Sequence, residues 1–333
     1  MIALDANGAD NGAAVVAGGG RESGVPVTIF GPRAEIPPPH DDVVDAPVAI
    51  TNEDEPARSV RARPDASLVQ ATKAVKSGEA HAVVSAGPTG ALLTAATIHL
   101  KRMKGVHRPA AAVLLPVPGS PTLLLDSGAN LDVRADYLVQ FAYMGSMFME
   151  SVHGVAKPRV GLLSNGHEPK KGTPSVVEAN EILSGGPLNF VGNVEGGDIV
   201  TGELDVVVTD GFTGNVALKS VEGTAKMVGS IVRDAARSSP LAALGGLLMK
   251  GKLGELRHEL SQDNVGGGIM LGLRGVAVAA HGSASATGIA NAVRLAQRAV
   301  DERMIERTEA ALKAAGALRS PSEPAVSLAS TDE

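Results

Sequence analysis

The chain contains no cysteine and no tryptophan, and its 333 residues include only two tyrosines and five phenylalanines. Without thiols there is no disulfide, no thiolate metal site and no cysteine nucleophile. With so few rings, the core must be packed from aliphatic side chains and close backbone contacts, a use that suits the forty glycines. No run of about 18 consecutive apolar residues occurs, so no membrane-spanning helix is predicted. A basic surplus is missing too. The formal net charge of −6 argues against a general nucleic-acid binder. The start, MIALDANGAD, has neither a basic region nor a long apolar stretch, so no secretory signal is read and a cytoplasmic location is expected.

What is present is alternation. Short apolar runs at 2–4, 25–30, 80–85, 110–115, 122–126, 159–163, 189–192, 204–209 and 275–280 read as strands. Segments near 66–77, 89–104, 135–153, 175–184, 214–235 and 287–315 read as helices. That order predicts βαβ units, hence an α/β fold whose mostly parallel sheet is covered on both faces. Residues 1–316 are expected to form one catalytic domain, with a hairpin-like apolar excursion near 239–257. The proline- and serine-rich end, 317–333, is expected to be a disordered tail.

Seven predicted strands run straight into small or polar residues: LDANGAD (4–10), SAGPTGA (85–91), DSGANLD (126–132), SNGHEPKKG (164–172), GNVEGGD (192–198), TDGFTGN (209–215) and AHGSAS (280–285). In a parallel sheet such loops gather at one edge, around a binding crevice. The loop at 85–91 lacks GxGxxG and any Gly-Lys-Ser/Thr, so no nucleotide cofactor is expected. Its helix start suits an anion, with Pro88 at the first helical position and Ser85 and Thr89 as hydroxyl donors. A plain turn capped by Thr89 accounts for the same residues.

The other loops leave similar choices open. Asp126 could orient a substrate, bind a metal or cap the next segment. Asp210 and Gly211 follow a buried strand, with Asn215 at a helix start and Lys219 one turn later. Asp5, Asp126 and Asp210 permit a magnesium site, but no spacing calls for one and no metal is expected. His167, Glu168, Lys170 and Lys171 share one loop, either a cover for substrate or a solvated turn. His281 ends a strand before Gly282 and Ser283. It could donate to an oxyanion or phosphate, move a proton, or simply pack.

The motifs SAGPTGALLTAA, LLLDSGAN, RVGLLSNGHEPKKG, NFVGNVEGGDI, DVVVTDGFTGNVALK, GGGIMLGLRGV and AHGSAS stand in the order and spacing of a known family. From LDANGAD to about residue 312 the chain resembles the bacterial PlsX family, the acyl-[acyl carrier protein]:phosphate acyltransferases. The resemblance implies a three-layer α/β/α sandwich similar to isocitrate and isopropylmalate dehydrogenases and to phosphotransacetylases, as a homodimer. It implies transfer of a long-chain acyl group from acyl carrier protein to inorganic phosphate, the acyl phosphate then feeding phospholipid synthesis. The chain departs from the family pattern in DANGAD for DAMGGD, in Pro88 for the usual Asn, and in His167 for an acid.

With that resemblance in view, Ser85, Gly87, Thr89 and Gly90 are expected to cradle phosphate. Asp126, Asn130, Glu168, Asp210, Gly211 and Ser283 are expected around phosphate and thioester. Lys171 is the expected mobile counter-charge, and His281 or Asn215 the oxyanion donor. The acidic carrier protein is expected on the basic segment 99–108 or on Arg58, Arg61 and Arg63. The stretch 239–257 is expected to touch either a second subunit or the inner face of the membrane. Acyl-CoA as donor, a dehydrogenase and a non-catalytic carrier-binding scaffold are the competing readings.

Overall fold

The computed structural model describes residues 1–117, 120–259 and 261–319. Its eleven-stranded sheet contains β1 (Ile2–Asp5), β2 (Val27–Gly31), β3 (Val43–Asp45), β4 (Ala82–Ser85), β5 (Ala110–Leu115), β6 (Thr122–Leu125), β7 (Val160–Leu163), β8 (Phe190–Val194), β9 (Val206–Val208), β10 (Gly268–Leu271) and β11 (Val276–Ala279). The spatial order is β3-β2-β1-β4-β11-β10-β5-β6-β9-β7-β8. Most neighbours are parallel, as the alternation predicts, but β10 runs against both β11 and β5, and β5 runs against β6. The strands flanking β5 and β10 therefore belong to two halves of opposite direction.

This corrects the expectation of one common edge for the strand-end loops. Register explains why the loops still converge. Ser85, Ala279, Gly268 and Val113 lie in one row across β4, β11, β10 and β5. Leu125 and Val208 lie one residue away, through Ala112. The carboxyl ends of the two halves thus arrive at the same level from opposite directions.

Alternate side chains feed opposite faces of each strand. On one face, Ala82, Val84, Leu123, Leu125, Val206 and Val208 join the largest core. It is covered by α1 (Ala13–Glu22), α5 (Ala135–His153), α6 (Pro174–Ser184), α10 (Ala286–Asp301) and α11 (Met304–Ala314). On the other face the core is split. Val83 packs with α2 (Pro56–Ala62), α3 (Ser67–Ser77) and α4 (Thr89–His99). Leu124 and Val207 pack with Leu218 of α7 (Gly211–Arg237). Between α4 and α7 lies a gap over β5 and β10.

Two features run against the sequence pattern for packing reasons. Helix α1 contains three consecutive glycines, poor helix formers. A β-carbon at Gly19 would lie 2.3 Å from the Ala286 carbonyl oxygen, and one at Gly20 would lie 2.4 Å from Leu4 Cδ2. Only a bare backbone fits there. Strand β10 is preceded by Gly266 and Gly267, both at positive φ, where a β-carbon on Gly267 would lie 2.3 Å from the Ala279 carbonyl oxygen. The predicted helix 287–315 breaks at Arg303, which has φ 51°. Helix 89–104 stops at His99.

The excursion at 239–257 is the second arm of a helical hairpin, α8 (Pro240–Glu259), packed on α7. The expected tail begins later than predicted. Ala317 and Leu318 pack on the core, Gln140 Nε2 donates to the Ala317 carbonyl at 2.8 Å, and Arg319 N donates to the Gly105 carbonyl at 2.9 Å. Residues 320–333 of the tail lie outside the described residues. No described helix is long and apolar enough to cross a membrane.

Candidate active site

The gap between α4 and α7 is a cavity of about 330 Å³ floored by Ala111, Val113 and Met270. Three helix-bearing turns bring polar groups to it. Helix α4 presents Thr89 and Gly90; its N-cap is Pro88, which supplies no side-chain acceptor. Its first N–H groups are therefore open to a ligand, with the positive end of the helix dipole behind them. Thr89 stands inside the helix rather than capping it, and Pro88 sits one place earlier than expected.

Helix α7 presents Asn215, Lys219 and Glu222 along one face, a spacing of four and then three residues. Lys219 Nζ is 2.9 Å from Glu222 Oε2. Asn215 is exposed and stands across from Gly128 of the β6 loop, where a β-carbon would lie 3.8 Å from Asn215 Cβ.

His281 forms the third wall. Its Nδ1 accepts the Ser283 backbone N–H at 3.2 Å and lies 2.9 Å from Ser283 Oγ. A backbone N–H can only donate, so Nδ1 is unprotonated and Nε2 carries the hydrogen. The exposed ring thus offers its Nε2–H as a donor at the cavity. It suits an oxyanion or a phosphate oxygen.

A family model described as fatty acid synthesis protein matches residues 1–307. Against the phosphate acyltransferase of Thermobifida fusca (strain YX) the chain is 41% identical over 337 residues, covering 97% of this chain and 93% of that one. Against the phosphate acyltransferase of Oceanobacillus iheyensis it is 42% identical over 310 residues, covering 90% and 93%. The chain belongs to the PlsX family of phosphate acyltransferases. Its fold is shared with a phosphotransacetylase from Streptococcus pyogenes at TM-score 0.60 and 16% identity, covering 91% of this chain and 94% of that one. A 4-hydroxythreonine-4-phosphate dehydrogenase from Klebsiella pneumoniae matches at TM-score 0.53 and 14% identity, covering 90% and 99%.

In this PlsX-family chain the residues picked out by motif fall into three positions. Thr89, Gly90, Asn215 and His281 line the cavity. Ser85, Gly87, Asp126, Asn130, Asp210, Gly211 and Ser283 lie outside the lining, on the turns that carry it. Ser85 is fully buried; it donates Oγ to Asp5 Oδ2 at 2.7 Å and accepts the Gly87 N–H at 3.1 Å. Burial pushes the Asp5 carboxyl up to about 6, against the pull of its hydrogen bonds from Ser67 and Ser85.

Asp126 is also fully buried, and its carboxylate is enclosed by its own loop. It accepts from the backbone N–H groups of Ala111, Gly128, Ala129 and Asn130 and from Asn130 Nδ2, all within 3.1 Å. Burial raises its pKa while these donors pull it down. Asp210 caps α7, accepting Thr213 N and Oγ1 at 2.7 Å each. Gly211 donates N–H to the Asn130 carbonyl at 2.7 Å. Among the described residues no three acidic or histidine side chains group as a metal site.

Lys171 and Glu168 occupy the third position, on the β7 loop outside the cavity lining. Asn193 Nδ2 of β8 braces that loop through the carbonyls of Glu168 and Lys171. His167 pairs with Asp198 at 2.9 Å, which holds its pKa above the ordinary value. The cavity lining adds residues that the site reading leaves out: Ser127, Gly128, Lys219, Glu222 and Asp263. Lys219 and Glu222 carry a legible signal, the four- and seven-residue steps from Asn215 once α7 is recognised. Asp263 carries none, because its place depends on the contact between α9 (Gln262–Val265) and α10, where it accepts Ser285 Oγ at 2.6 Å.

Proposed function

We propose that the protein transfers a long-chain acyl group from acyl carrier protein to inorganic phosphate, releasing acyl phosphate for phospholipid synthesis. The observation that carries this reading is one cavity holding an open helix start, a lysine and a fixed Nε2–H donor above an apolar floor. Phosphate docks at the N–H groups of Thr89 and Gly90, with Lys219 as counter-charge; at neutral pH it is already a competent nucleophile and needs positioning. A phosphate oxygen attacks the thioester carbon and the carbonyl electrons move onto oxygen. That oxyanion is held by His281 Nε2–H or by the Asn215 amide. Collapse breaks the C–S bond. The thiolate leaves and takes its proton from solvent, since a thiol of pKa about 8.5 needs no strong acid.

Leu93, Leu114, Val113 and Met270 give the acyl chain an apolar wall. Lys171 acts by closure of its loop over the bound phosphate. The carrier protein docks on the basic face that joins Lys101, Arg102 and Lys104 to Arg274; the Arg274 backbone N–H bonds to the Lys101 carbonyl at 2.9 Å. A second copy covers the exposed stripe Met227, Val228, Ile231 and Val232 of α7, while Leu247, Leu248 and Met249 of α8 touch the membrane from its cytoplasmic side.

The test is a donor comparison. Purified protein is given phosphate with either palmitoyl-acyl carrier protein or palmitoyl-CoA, and acyl phosphate is trapped with hydroxylamine. Turnover with the carrier-protein thioester at the higher kcat/KM is expected. Equal or better turnover of the CoA thioester would assign the chain to the acyl-CoA reading, and none with either would leave a scaffold.

A further inference from the structure

The LDANGAD loop after β1 lines no part of the cavity, yet it grips the turn that carries His281. Two peptide groups fix that histidine. The Gly282–Ser283 peptide donates its N–H to His281 Nδ1 at 3.2 Å. The Ser283–Ala284 peptide donates its N–H to the His281 carbonyl at 2.9 Å. Both peptides are held at their other ends by neighbouring residues of the loop. The Gly282 carbonyl accepts Asp10 N–H at 3.0 Å. The Ser283 carbonyl accepts Asn11 Nδ2 at 3.0 Å, and the same amide bonds to the Ala284 carbonyl at 3.0 Å.

The grip is built closely. A β-carbon on Gly282 would lie 3.0 Å from Asp10 Oδ2, so the turn passes directly under the loop. Gly8 and Gly12, at φ 77° and 80°, bend the loop into place. Its far end is tied down by Asn7 Nδ2, 3.1 Å from the Pro47 carbonyl. Carbonyls held at one end and N–H groups committed at the other leave each peptide one orientation, and the bonds polarise in series.

We infer that Asn11 is a positioning residue for acyl transfer: it locks the turn that keeps His281 in the Nε2–H form facing the cavity. The inference rests on the reading of His281 as the oxyanion donor. Loss of the Asn11 amide frees the Ser283–Ala284 peptide to rotate. The Ala284 N–H then leaves the His281 carbonyl, the turn slackens around Ser283 and its bond to Nδ1, the two imidazole tautomers mix, and the donor is misplaced.

The experiment compares Asn11→Ala, His281→Ala and the double variant in the acyl phosphate assay, with imidazole ¹⁵N spectra of the histidine-labelled protein. His281→Ala identifies the His281 signal. Asn11→Ala is expected to lower kcat roughly tenfold to a hundredfold, as misplacement of a reacting partner does. The KM for phosphate should change little. The double variant should be no slower than His281→Ala alone, because both changes remove one function. The His281 spectrum should pass from Nε2-protonated to a tautomer mixture. Asn11→Ser keeps one donor; it should recover part of the rate, and it replaces the alanine variant should that fail to fold. Losses that multiply in the double variant, or an unchanged His281 tautomer, overturn the inference while leaving His281 in its role. Full turnover by His281→Ala, which leaves no side-chain N–H at the cavity, overturns that role and the inference together.

Discussion

A β-carbon placed on Gly214 would lie 1.9 Å from the carbonyl oxygen of Asp126. Helix α7 rests directly on the backbone of the β6 loop, which is how Asn215 comes to stand beside Gly128. Gly214→Ala should therefore destabilise by about 1–3 kcal/mol as an overpacked contact, even though alanine is favoured over glycine within a helix by about 1 kcal/mol. Asn215 and Lys219 shift with the helix, so kcat should fall as well. Thermal unfolding and the acyl phosphate assay check both; a stabilised Gly214→Ala variant would show that propensity outweighs the contact.

The five donors around Asp126 argue that its carboxylate holds the loop rather than a ligand. An amide in its place keeps one acceptor and turns an NH2 group toward those N–H groups. Each buried donor left unpaired costs about 1–3 kcal/mol, so Asp126→Asn should lose at least that much in urea unfolding. A variant of unchanged stability with a depressed kcat would instead give Asp126 a direct part in substrate binding.

Asp5 and His153 titrate in opposite senses over one pH range. Burial raises the Asp5 carboxyl from 3.8 to about 6. Between those values the folded chain keeps a proton the unfolded chain has lost, so this group lowers stability as pH rises. His153, whose Nε2 is buried without a partner, is pushed from 6.5 to about 4 by burial and, less, by Arg298. There the unfolded chain holds the extra proton, and stability rises with pH. Each effect amounts to about 3 kcal/mol, so the two largely offset. Asp5→Asn should leave stability climbing from about pH 4 to pH 6, and His153→Gln should leave it falling. Urea midpoints across that range check the signs; slopes unchanged from the parent in both variants would refute the pairing.

Two lysines compete for the role of counter-charge. Lys219 lines the cavity, so Lys219→Ala should raise the KM for phosphate about tenfold, the worth of a partly screened charge contact. Lys171→Ala should lower kcat with a smaller change in KM, since it acts only once its loop has closed. Steady-state kinetics in phosphate distinguish them. The reverse pattern would place Lys171 at the resting site.

The hairpin separates two surfaces by position. Ile231→Glu, in the exposed α7 stripe, should break the proposed dimer in sedimentation without affecting vesicle flotation. Replacing Leu247, Leu248 and Met249 by serine should abolish flotation on anionic vesicles and leave the dimer intact. If the serine variant dissociated instead, the α8 apolar residues would belong to the subunit contact.

Much of this protein is written locally. Nine strands, the main helices and the seven polar turns follow from short-range periodicity, because a β-branched or leucine run reports burial wherever it lies. The motifs themselves suffice for the family. Direction and register are different, since they depend on which strand lies alongside, close in sequence for β5 and β6 and distant for β4 and β11. Nothing within TLLLD or AAAVLL states that β5 and β6 run antiparallel, or that Leu125 stops level with Ala112. Helix α1 and strand β10 were hidden for a related reason: their glycines are poor formers of either element and persist because a neighbouring backbone leaves no room for a side chain. The site divides along the same line. A strand-end carboxylate looks alike in sequence whether it faces a ligand or, as with Asp126, the N–H groups of its own loop. A lysine on a glycine-bounded loop is the more conspicuous, yet Lys219 lines the cavity because α7 crosses the sheet there. Long-range packing chose between them.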